Sequence, residues 1–501
     1  MIKHTFPAKL LYAAAAVLLL MLCAKNIAAL CTAILPRLFA GSSIWKPAAL
    51  AAGVLAVVIA GLLLLRLAAR ADERAHDEKP VRLDYLILFA LAYCLRAAWT
   101  AFVMQPPYSD YEIFYWVTHQ IALFPEPSYL QDPYFHTWAY QTGFPALLAP
   151  LAFLFPGQYE PFLFTNCLFE AGTVLCIFKL LTRFHKRNTA FALACLYLSV
   201  PLPYMLAPVL TNQLSATFFT MLGVCVFFGK PDGSITRACA AGLLLAIGNA
   251  LRAEGILMLA AFAALAVLRL LSPQPIKSRI QKALPAAACC AVYLACGLLF
   301  SNLFVWTGLN PNGLRNEYPL YKFAVGLNEK TRGQYNAEEA NALLALPEKT
   351  RDEATKAIIA EQLSVGPLRL LSLFWNKADI QWTDRAPQYP AFTAQANDSF
   401  VNFPGFNLSV GLLENVTAFM QSICWSLLFG FAAIYAALSA ATRDGTPFAM
   451  FLYIFAAVTI AAFALIEVQT RYAYALLPAL FLSASFGGGT VLRVIKKRLS
   501  R

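Results

Sequence analysis

The segment 105–143 carries side chains that could do chemistry. It holds four carboxylates and eleven aromatic side chains but no Lys or Arg. The carboxylate of Asp110 comes six residues after an apolar segment that ends at Met104. An acidic, aromatic segment just outside a bilayer suits chemistry on a membrane-bound substrate better than it suits a simple connector. We therefore expect the function to reside in this segment.

Asp110 and Glu112 flank Tyr111 at the start of this segment. Two carboxylates separated by one residue could share a base role, in which one abstracts a proton and the other orients it, or they could hold a metal ion. Alternatively, Ser109 or Asp110 caps the helix that residues 112–124 predict. Capping and catalysis are compatible, so Asp110 is the candidate base and Glu112 its candidate helper.

A metal site is an alternative that has little support in the sequence. Asp132 and His136 have a spacing that can place two ligands on one helical face, but Pro133 argues against a helix there. No cofactor is therefore predicted, and a divalent metal is left as an open alternative without support.

Three arginines lie at or inside apolar segments on the side that we expect to face outward: Arg252 and Arg471 at segment ends, and Arg96 midway along its segment, about two turns from the outer end. Charges at such positions are functional candidates because burying them is costly. Arg96, Arg252 and Arg471 each offer a fork of donors that matches phosphate oxygens, so we expect them to bind the phosphate of a lipid carrier. Alternatively, Arg252 and Arg471 extend to the interface or pair with Glu254 and Glu467.

The composition is that of a membrane protein. Of 501 residues, 59% are hydrophobic and 13% are charged, and the mean hydropathy is +0.60. We predict an all-α polytopic protein with about twelve transmembrane helices, while 144–155 is too short to cross and predicts an interfacial or re-entrant helix. The predicted spans are 10–35, 47–68, 83–104, 160–181, 188–204, 208–229, 237–251, 255–271, 283–306, 409–438, 446–465 and 473–492.

The distribution of charge predicts the orientation of the chain in a plasma membrane. With both termini cytoplasmic, the inner segments hold 23 of the 39 Lys and Arg residues. This bias accounts for most of the net charge of +12, so no nucleic-acid partner is implied. Neither GxxxxGK[ST] nor GxGxxG occurs, which leaves nucleotide hydrolysis and Rossmann-type binding without support. All twelve cysteines lie in or beside apolar segments, and an outer domain without disulfides is typical of a bacterial protein.

We divide the chain into four parts. Residues 1–70 form an N-terminal addition of two spans, and 83–306 form a module of seven spans with the catalytic outer loop 105–143. Residues 307–408 form a mixed extracytoplasmic domain, and 409–501 form three spans with a basic cytoplasmic tail.

Several stretches resemble membrane glycosyltransferases of the GT-C class. They are the acidic loop around Asp110, FPALLAPLAFLFPGQYEPFLFTNCLFEAGTVL and EVQTRYAYALLPALFL, and they are most similar to glycosyltransferase family 39, the protein mannosyltransferase superfamily, and its bacterial aminoarabinose-transferase relatives. The resemblance implies that Asp110 is the catalytic Asp and that Arg471 and Tyr472 form the late arginine-tyrosine turn. It also makes QTGFPALLAPLAFL the juxtamembrane helix.

The resemblance implies an inverting transfer of a sugar from a polyprenyl-phosphate donor to an extracytoplasmic glycan, lipid or protein. Asp110 would deprotonate the acceptor hydroxyl, and the three arginines would bind the lipid phosphate. Substrate contacts are expected from Tyr111, Tyr140, Gln141 and Tyr472.

The sequence departs from this family in two respects. The catalytic loop follows the third span instead of the first, which is why 1–70 is treated as an addition. Relatives often carry an acidic residue where this chain has Thr211, Asn212 and Gln213, which leaves Glu112 as the acidic helper.

Two functions from other classes stay open. A transporter or lipid flippase should have paired halves with broken spans and polar residues near the midplane, whereas most polar residues here lie at the outer boundary. A non-catalytic scaffold for envelope assembly would leave the carboxylates of 105–143 dispensable.

Overall fold

A computed structural model describes residues 2–3, 6–39, 45–74, 79–230, 233–385, 388–395, 399–442 and 444–499. The predicted cytoplasmic loop near 75–78 and the last two residues of the basic tail lie outside the described residues. The helices are α1 (Phe6–Ala29), α2 (Leu35–Phe39), α3 (Trp45–Arg74), α4 (Arg82–Val103), α5 (Asp110–Leu123), α6 (Pro133–Thr137), α7 (Gly143–Leu154), α8 (Glu160–Leu181), α9 (Arg187–Tyr197), α10 (Leu202–Leu206), α11 (Asn212–Phe228), α12 (Ile235–Leu251), α13 (Gly255–Leu270), α14 (Ile276–Trp306), α15 (Tyr321–Gly326), α16 (Ala337–Leu344), α17 (Glu348–Ser364), α18 (Pro367–Trp382), α19 (Val410–Thr442), α20 (Pro447–Leu465) and α21 (Leu477–Leu499).

Four short strands accompany these helices in the described part of the chain: β1 (Ile2–Lys3), β2 (Phe400–Phe403), β3 (Phe406–Ser409) and β4 (Asp444–Gly445). β1 pairs antiparallel with β4, and β2 forms an antiparallel hairpin with β3 in which Phe403 lies opposite Phe406. The hairpin turns through Gly405, whose φ of 84° favours glycine.

Several described helices are long and apolar enough to cross a membrane, so the chain is an all-α polytopic membrane protein. Six runs meet this description, namely Phe6–Phe39, Arg82–Val103, Glu160–Leu181, Ile276–Trp306, Val410–Thr442 and Pro447–Leu465. α17 and α18, bent by 102° between them, would make a seventh if they act as one span. α11, α12 and α13 are apolar but shorter.

The predicted count of twelve spans is therefore not confirmed. The predicted span 188–204 is not a continuous helix, because α9 ends at Tyr197 and the five-residue α10 begins at Leu202. Pro201 and Pro203 explain this break, since proline cannot donate the backbone hydrogen bond that continues a helix.

The segment 105–143 folds against the membrane helices through α7. α7 lies at the stretch that sequence patterning predicts as a short interfacial or re-entrant helix, and it packs against α5. At its first residue, Gly143, an added Cβ would lie 1.8 Å from the carbonyl oxygen of Ala250 near the end of α12. Only glycine permits this approach, which joins the loop to α12.

The N-terminal helix packs one face against the other helices. α1 lies along α19, and Tyr12 contacts Tyr453 of α20 edge-on with a ring-centre distance of 5.2 Å. Lys25, for which the sequence suggests no role, forms an ion pair of 3.1 Å with Asp379 of α18 and lies over the ring of Trp375. The first helix is therefore part of the core.

Candidate functional site

A cavity of about 1390 Å³ brings together most of the predicted site residues. It is lined by Asp110, Tyr111, Tyr140, Gln141, Arg252, Arg471 and Tyr472, among others. It continues along α14, which contributes Leu294, Gly297 and Leu298, and along α12, which contributes Ala246 and Ala250. The cavity thus has a charged part at the loops and an apolar part beside a membrane-spanning helix.

Asp110 and Arg471 form an ion pair at this cavity. Arg471 Nη2 donates to Asp110 Oδ2 at 2.8 Å, and Nη1 donates to the hydroxyl of Tyr111, also at 2.8 Å. Nε donates to the side-chain oxygen of Gln469 at 2.6 Å. The side chain of Asp110 is 39% exposed and that of Arg471 15%, so the carboxylate is oriented by the guanidinium yet open to the cavity.

An extended segment between α20 and the 3-10 turn Thr470–Ala475 positions Arg471. Because successive side chains of an extended chain point to opposite sides, Glu467 and Gln469 fall on one side of it, and Arg471 follows as the second residue of the turn. Gln469 Nε2 donates to Glu467 Oε1 at 2.6 Å, which connects all three. From the stretch EVQTR, the sequence predicts Arg471 as a site residue and offers Glu467 as its alternative partner, but it does not single out Gln469.

Lys322 at the start of α15 pairs with Glu467. The backbone N–H of Glu467 also donates to the carbonyl of Lys322 at 3.0 Å. Burial opposes ionisation of Glu467, but the Lys322 ammonium outweighs it and holds the pKa of the carboxyl below its usual value. Burial likewise opposes the charge on Lys322, and neighbouring Tyr472 and Glu467 raise the pKa of its amine above the usual value.

Arg252 lies on the same cavity after α12. Its Nε donates to Glu254, and its Nη1 donates to Asn212 Oδ1 at 3.1 Å. The contact with Glu254 is the ion pair that the sequence offers as an alternative to phosphate binding. The guanidinium carbons of Arg252 and Arg471 lie 4.9 and 5.8 Å from the ring centre of Tyr472. Both cations thus lie against the ring of Tyr472 at the cavity.

The residue before Asp110 has a strained backbone. Ser109 has a φ of 50° and a ψ of −132°, and its side chain makes no capping hydrogen bond to α5. A serine in this region costs on the order of 1 kcal/mol or more, and such strain clusters at functional sites. The strained turn delivers Asp110 to the first turn of α5.

Two predicted site residues are placed away from the cavity. Glu112 is exposed on α5 and is not among the described residues that line the cavity. Positions two apart on a helix do not share a face, which separates it from Asp110. Arg96 is also outside that lining; it is fully buried and pairs with Glu170 of α8 at 3.2 Å.

The structure gives Asp132, a candidate metal ligand, a different role. Its Oδ1 accepts from the backbone N–H of Tyr134 at 2.8 Å, so it caps α6. Pro133 begins that helix, where proline is well tolerated, so the argument that it prevents a helix was wrong. Within the described ranges, no three His, Cys, Asp or Glu side chains are grouped as metal ligands.

Sequence patterning missed several residues that line the cavity. Lys322 and Arg315 belong to the segment 307–408, where ten Lys and Arg residues are spread and none stands out. Arg315 is exposed, and no ion pair to it is found among the described side chains. Asn212 was noted only as a departure from an acidic position, yet it accepts from Arg252.

Comparison with known proteins gives a distant likeness. No family model matches the chain, and no curated protein matches its sequence. The structure resembles that of the oligosaccharyltransferase of Archaeoglobus fulgidus in its apo form, with a TM-score of 0.36 and 14% identity. The likeness covers 83% of this chain and 52% of that one, so the chain spans about half the length of that protein. At this level it assigns neither a family nor an activity.

Proposed function

We propose that the protein is an inverting membrane glycosyltransferase of the GT-C type. In this proposal it transfers a sugar from a polyprenyl-phosphate donor to a glycan, lipid or protein acceptor outside the cytoplasmic membrane. The observation that carries the proposal is that Asp110 meets Arg471 at a cavity that also holds Arg252 and continues along a membrane-spanning helix.

Asp110 acts as the general base. It takes the proton of the acceptor hydroxyl, whose oxygen attacks C1 of the sugar from the face opposite the phosphate. The C1–O bond to the phosphate breaks as the new bond forms, which inverts the configuration at C1. Arg471 orients Asp110, because its Nη2 donates to Oδ2 while the carboxylate stays open to the cavity.

The lipid phosphate binds among the cations of the cavity. Arg252 and Arg471 both lie against the ring of Tyr472, and Arg315 is a third guanidinium on the lining. Negative charge that develops on the departing phosphate is stabilised by donors already fixed in place. Among the described lining residues, four cations (Arg252, Arg315, Lys322, Arg471) exceed three carboxylates (Asp110, Glu254, Glu467), which favours an anionic ligand.

The polyprenyl chain lies along α14. Leu294 and Leu298 are 54% and 66% exposed, and Gly297 between them faces open space, since an added Cβ would meet nothing within 4 Å. An isoprenoid chain buried against these residues gains roughly 25 cal/mol for each Å² of apolar surface.

Transfer from radiolabelled polyprenyl-phosphate sugars to membrane acceptors tests this function. Asp110→Asn keeps the shape but loses the base, so the rate should fall at least about a hundredfold at equal expression. Glu112→Gln on the same helix is the matched control and should stay within about threefold of the wild type. The anomeric configuration of the product, read by NMR, checks inversion.

Each outcome has a defined meaning. Equal rates for wild type and Asp110→Asn would remove Asp110 as the base while leaving a transferase. A loss with Glu112→Gln as large as that with Asp110→Asn would restore the shared-carboxylate interpretation. If no donor in a broad panel of sugars is consumed by the wild type, the flippase alternative takes its place.

A further inference from the structure

A buried charged pair lies beside the turn that carries Arg471. Arg96 Nη2 and Glu170 Oε1 are 3.2 Å apart, and neither side chain has any exposed surface. Both residues lie within candidate membrane spans, α4 and α8. A buried ion pair is often no more stabilising than apolar residues of the same volume, so its presence needs a reason other than stability.

The pair is connected to the site through one hydroxyl. Tyr474 donates to Glu170 Oε2, while Arg96 occupies the other carboxylate oxygen. Tyr474 is fully buried and belongs to the turn Thr470–Ala475, three residues after Arg471. Glu170 is therefore held on one side by α4 and holds the turn on the other.

Arg96 is itself fixed by a second partner. Its Nη1 donates to the hydroxyl of Tyr204 at 3.4 Å, and its guanidinium lies 4.6 Å from the centre of that ring. The backbone oxygen of Tyr204 accepts from Trp99 Nε1 at 2.9 Å. Trp99 and Arg96 both belong to α4, so Tyr204 is held against this helix and in turn fixes the orientation of the Arg96 side chain.

The turn is anchored at its other end by uncharged contacts. Gln213 Nε2 donates to the carbonyl of Arg471 at 2.9 Å, and Thr470 Oγ1 donates to the carbonyl of Ile380 at 3.1 Å. The contact between Tyr474 and Glu170 attaches the later part of the turn to a carboxylate that lies among the membrane helices.

We propose that Arg96 and Glu170 are positioning residues that hold Tyr474 and thereby aim Arg471 at Asp110. The inference rests on the proposed function, because the orientation of Arg471 toward Asp110 affects catalysis only if the protein transfers a sugar. Neither residue is among the described residues that line the cavity, so both act through Tyr474 and not by touching substrate. This role differs from the phosphate contact that the sequence suggests for Arg96.

A cycle of variants separates positioning from stability. Arg96→Met with Glu170→Leu removes both charges together, which should leave the melting temperature near or above that of the wild type. We expect kcat to fall about tenfold in this double variant with little change in the donor KM, because the arginine is present but poorly aimed. Tyr474→Phe alone should give a similar loss of kcat.

The decisive comparison is Tyr474→Phe made in the double variant. If Tyr474 acts through Glu170, its hydroxyl has nothing left to hold there, and kcat should fall no further. The inference would be overturned if the fold-loss of kcat in the combined variant equals the product of the losses in Tyr474→Phe and in the double variant. It would also be overturned if the double variant keeps the kcat of the wild type. Tyr453→Phe is the control, since it also removes a buried tyrosine hydrogen bond, of 2.6 Å to Ala432, but lies in α20; it should keep kcat.

Hydrogen exchange followed by mass spectrometry makes the test independent of activity. Amides of residues 470–476 should exchange at least about fivefold faster in Tyr474→Phe than in the wild type, and those of the Tyr453→Phe protein should not. Unchanged exchange in Tyr474→Phe would overturn the anchoring. If the wild type transfers no sugar, the proposed function fails, while exchange still decides whether the turn is anchored.

Discussion

Arg471 uses all three of its guanidinium nitrogens within the site. Gln469, Tyr111 and Asp110 each accept from a different nitrogen, at 2.6–2.8 Å. A lysine has the same charge but a single nitrogen, so it could not orient three acceptors in one plane. The geometry of the carboxylate therefore depends on the shape of arginine as much as on its charge.

The pair of Lys322 and Glu467 gives a prediction at the residue scale. Lys322→Met leaves a buried carboxylate without its cation, so the pKa of Glu467 should rise from below its usual value to above it. At pH 8 the variant should melt about 5 °C or more below the wild type. Melting curves from pH 5 to pH 8 measure this difference.

The sign of the pH dependence follows from linkage. In the wild type, the depressed pKa of Glu467 contributes stability above the usual carboxyl value of about 4.3, and that stability is lost as pH falls through the lower folded value. In the variant, protonation of Glu467 removes the unpaired buried charge, so the difference in melting temperature between variant and wild type should become smaller toward pH 5. When Lys322→Met is made in a Glu467→Gln background, the loss in melting temperature should no longer depend on pH. A loss that still depends on pH would contradict this explanation.

Single residues were predictable where the sequence isolates them. Asp110, Arg252 and Arg471 stand out because each is a charge at the edge of an apolar segment, and all three line the cavity. Glu170 carried the same signal within its span but was passed over, and its partner Arg96 was assigned to phosphate. Lys322 could not be selected, because its role depends on a contact with Glu467, 145 positions later.

At the scale of elements, α14 determines what enters the apolar part of the cavity. Gly297→Phe adds a ring where the glycine faces open space, so it should not disturb packing. It should raise the KM for long polyprenyl donors about tenfold and leave donors with one or two isoprene units within about twofold. Transfer assays with both donor lengths measure this. Equal effects on both would place the lipid chain elsewhere.

Elements were predictable where one pattern dominates. The short α7 between prolines and the long apolar α14 follow from hydrophobicity and length alone. The segment 188–204 is apolar throughout, yet its prolines divide it between α9 and α10. The extended chain between α20 and the turn Thr470–Ala475 could not be predicted, because its hydrogen bonds to Lys322 and Gly333 depend on residues that are distant in the sequence.

For the whole molecule, the packing of α1 predicts that the N-terminal part is required. A chain of residues 45–501 alone would expose the surfaces of α19 and α20 that Tyr12, Leu19 and Leu22 cover, so it should fail to accumulate as a monodisperse protein. Co-expression of residues 1–39 as a separate chain should restore it, and the two should copurify in size-exclusion chromatography. A stable, active 45–501 chain would show that the N-terminal helices are dispensable.

The distance along the chain between Asp110 and Arg471 also affects synthesis. They are 361 positions apart, and they are the two halves of one ion pair. A ribosome that has inserted the outer loop must still make every later helix up to α20 before the guanidinium exists. Throughout that interval the carboxylate has no Arg471 beside it. Under the proposed function, a nascent or prematurely terminated chain would lack this ion pair, and the site would be complete only once nearly the entire polypeptide has been inserted.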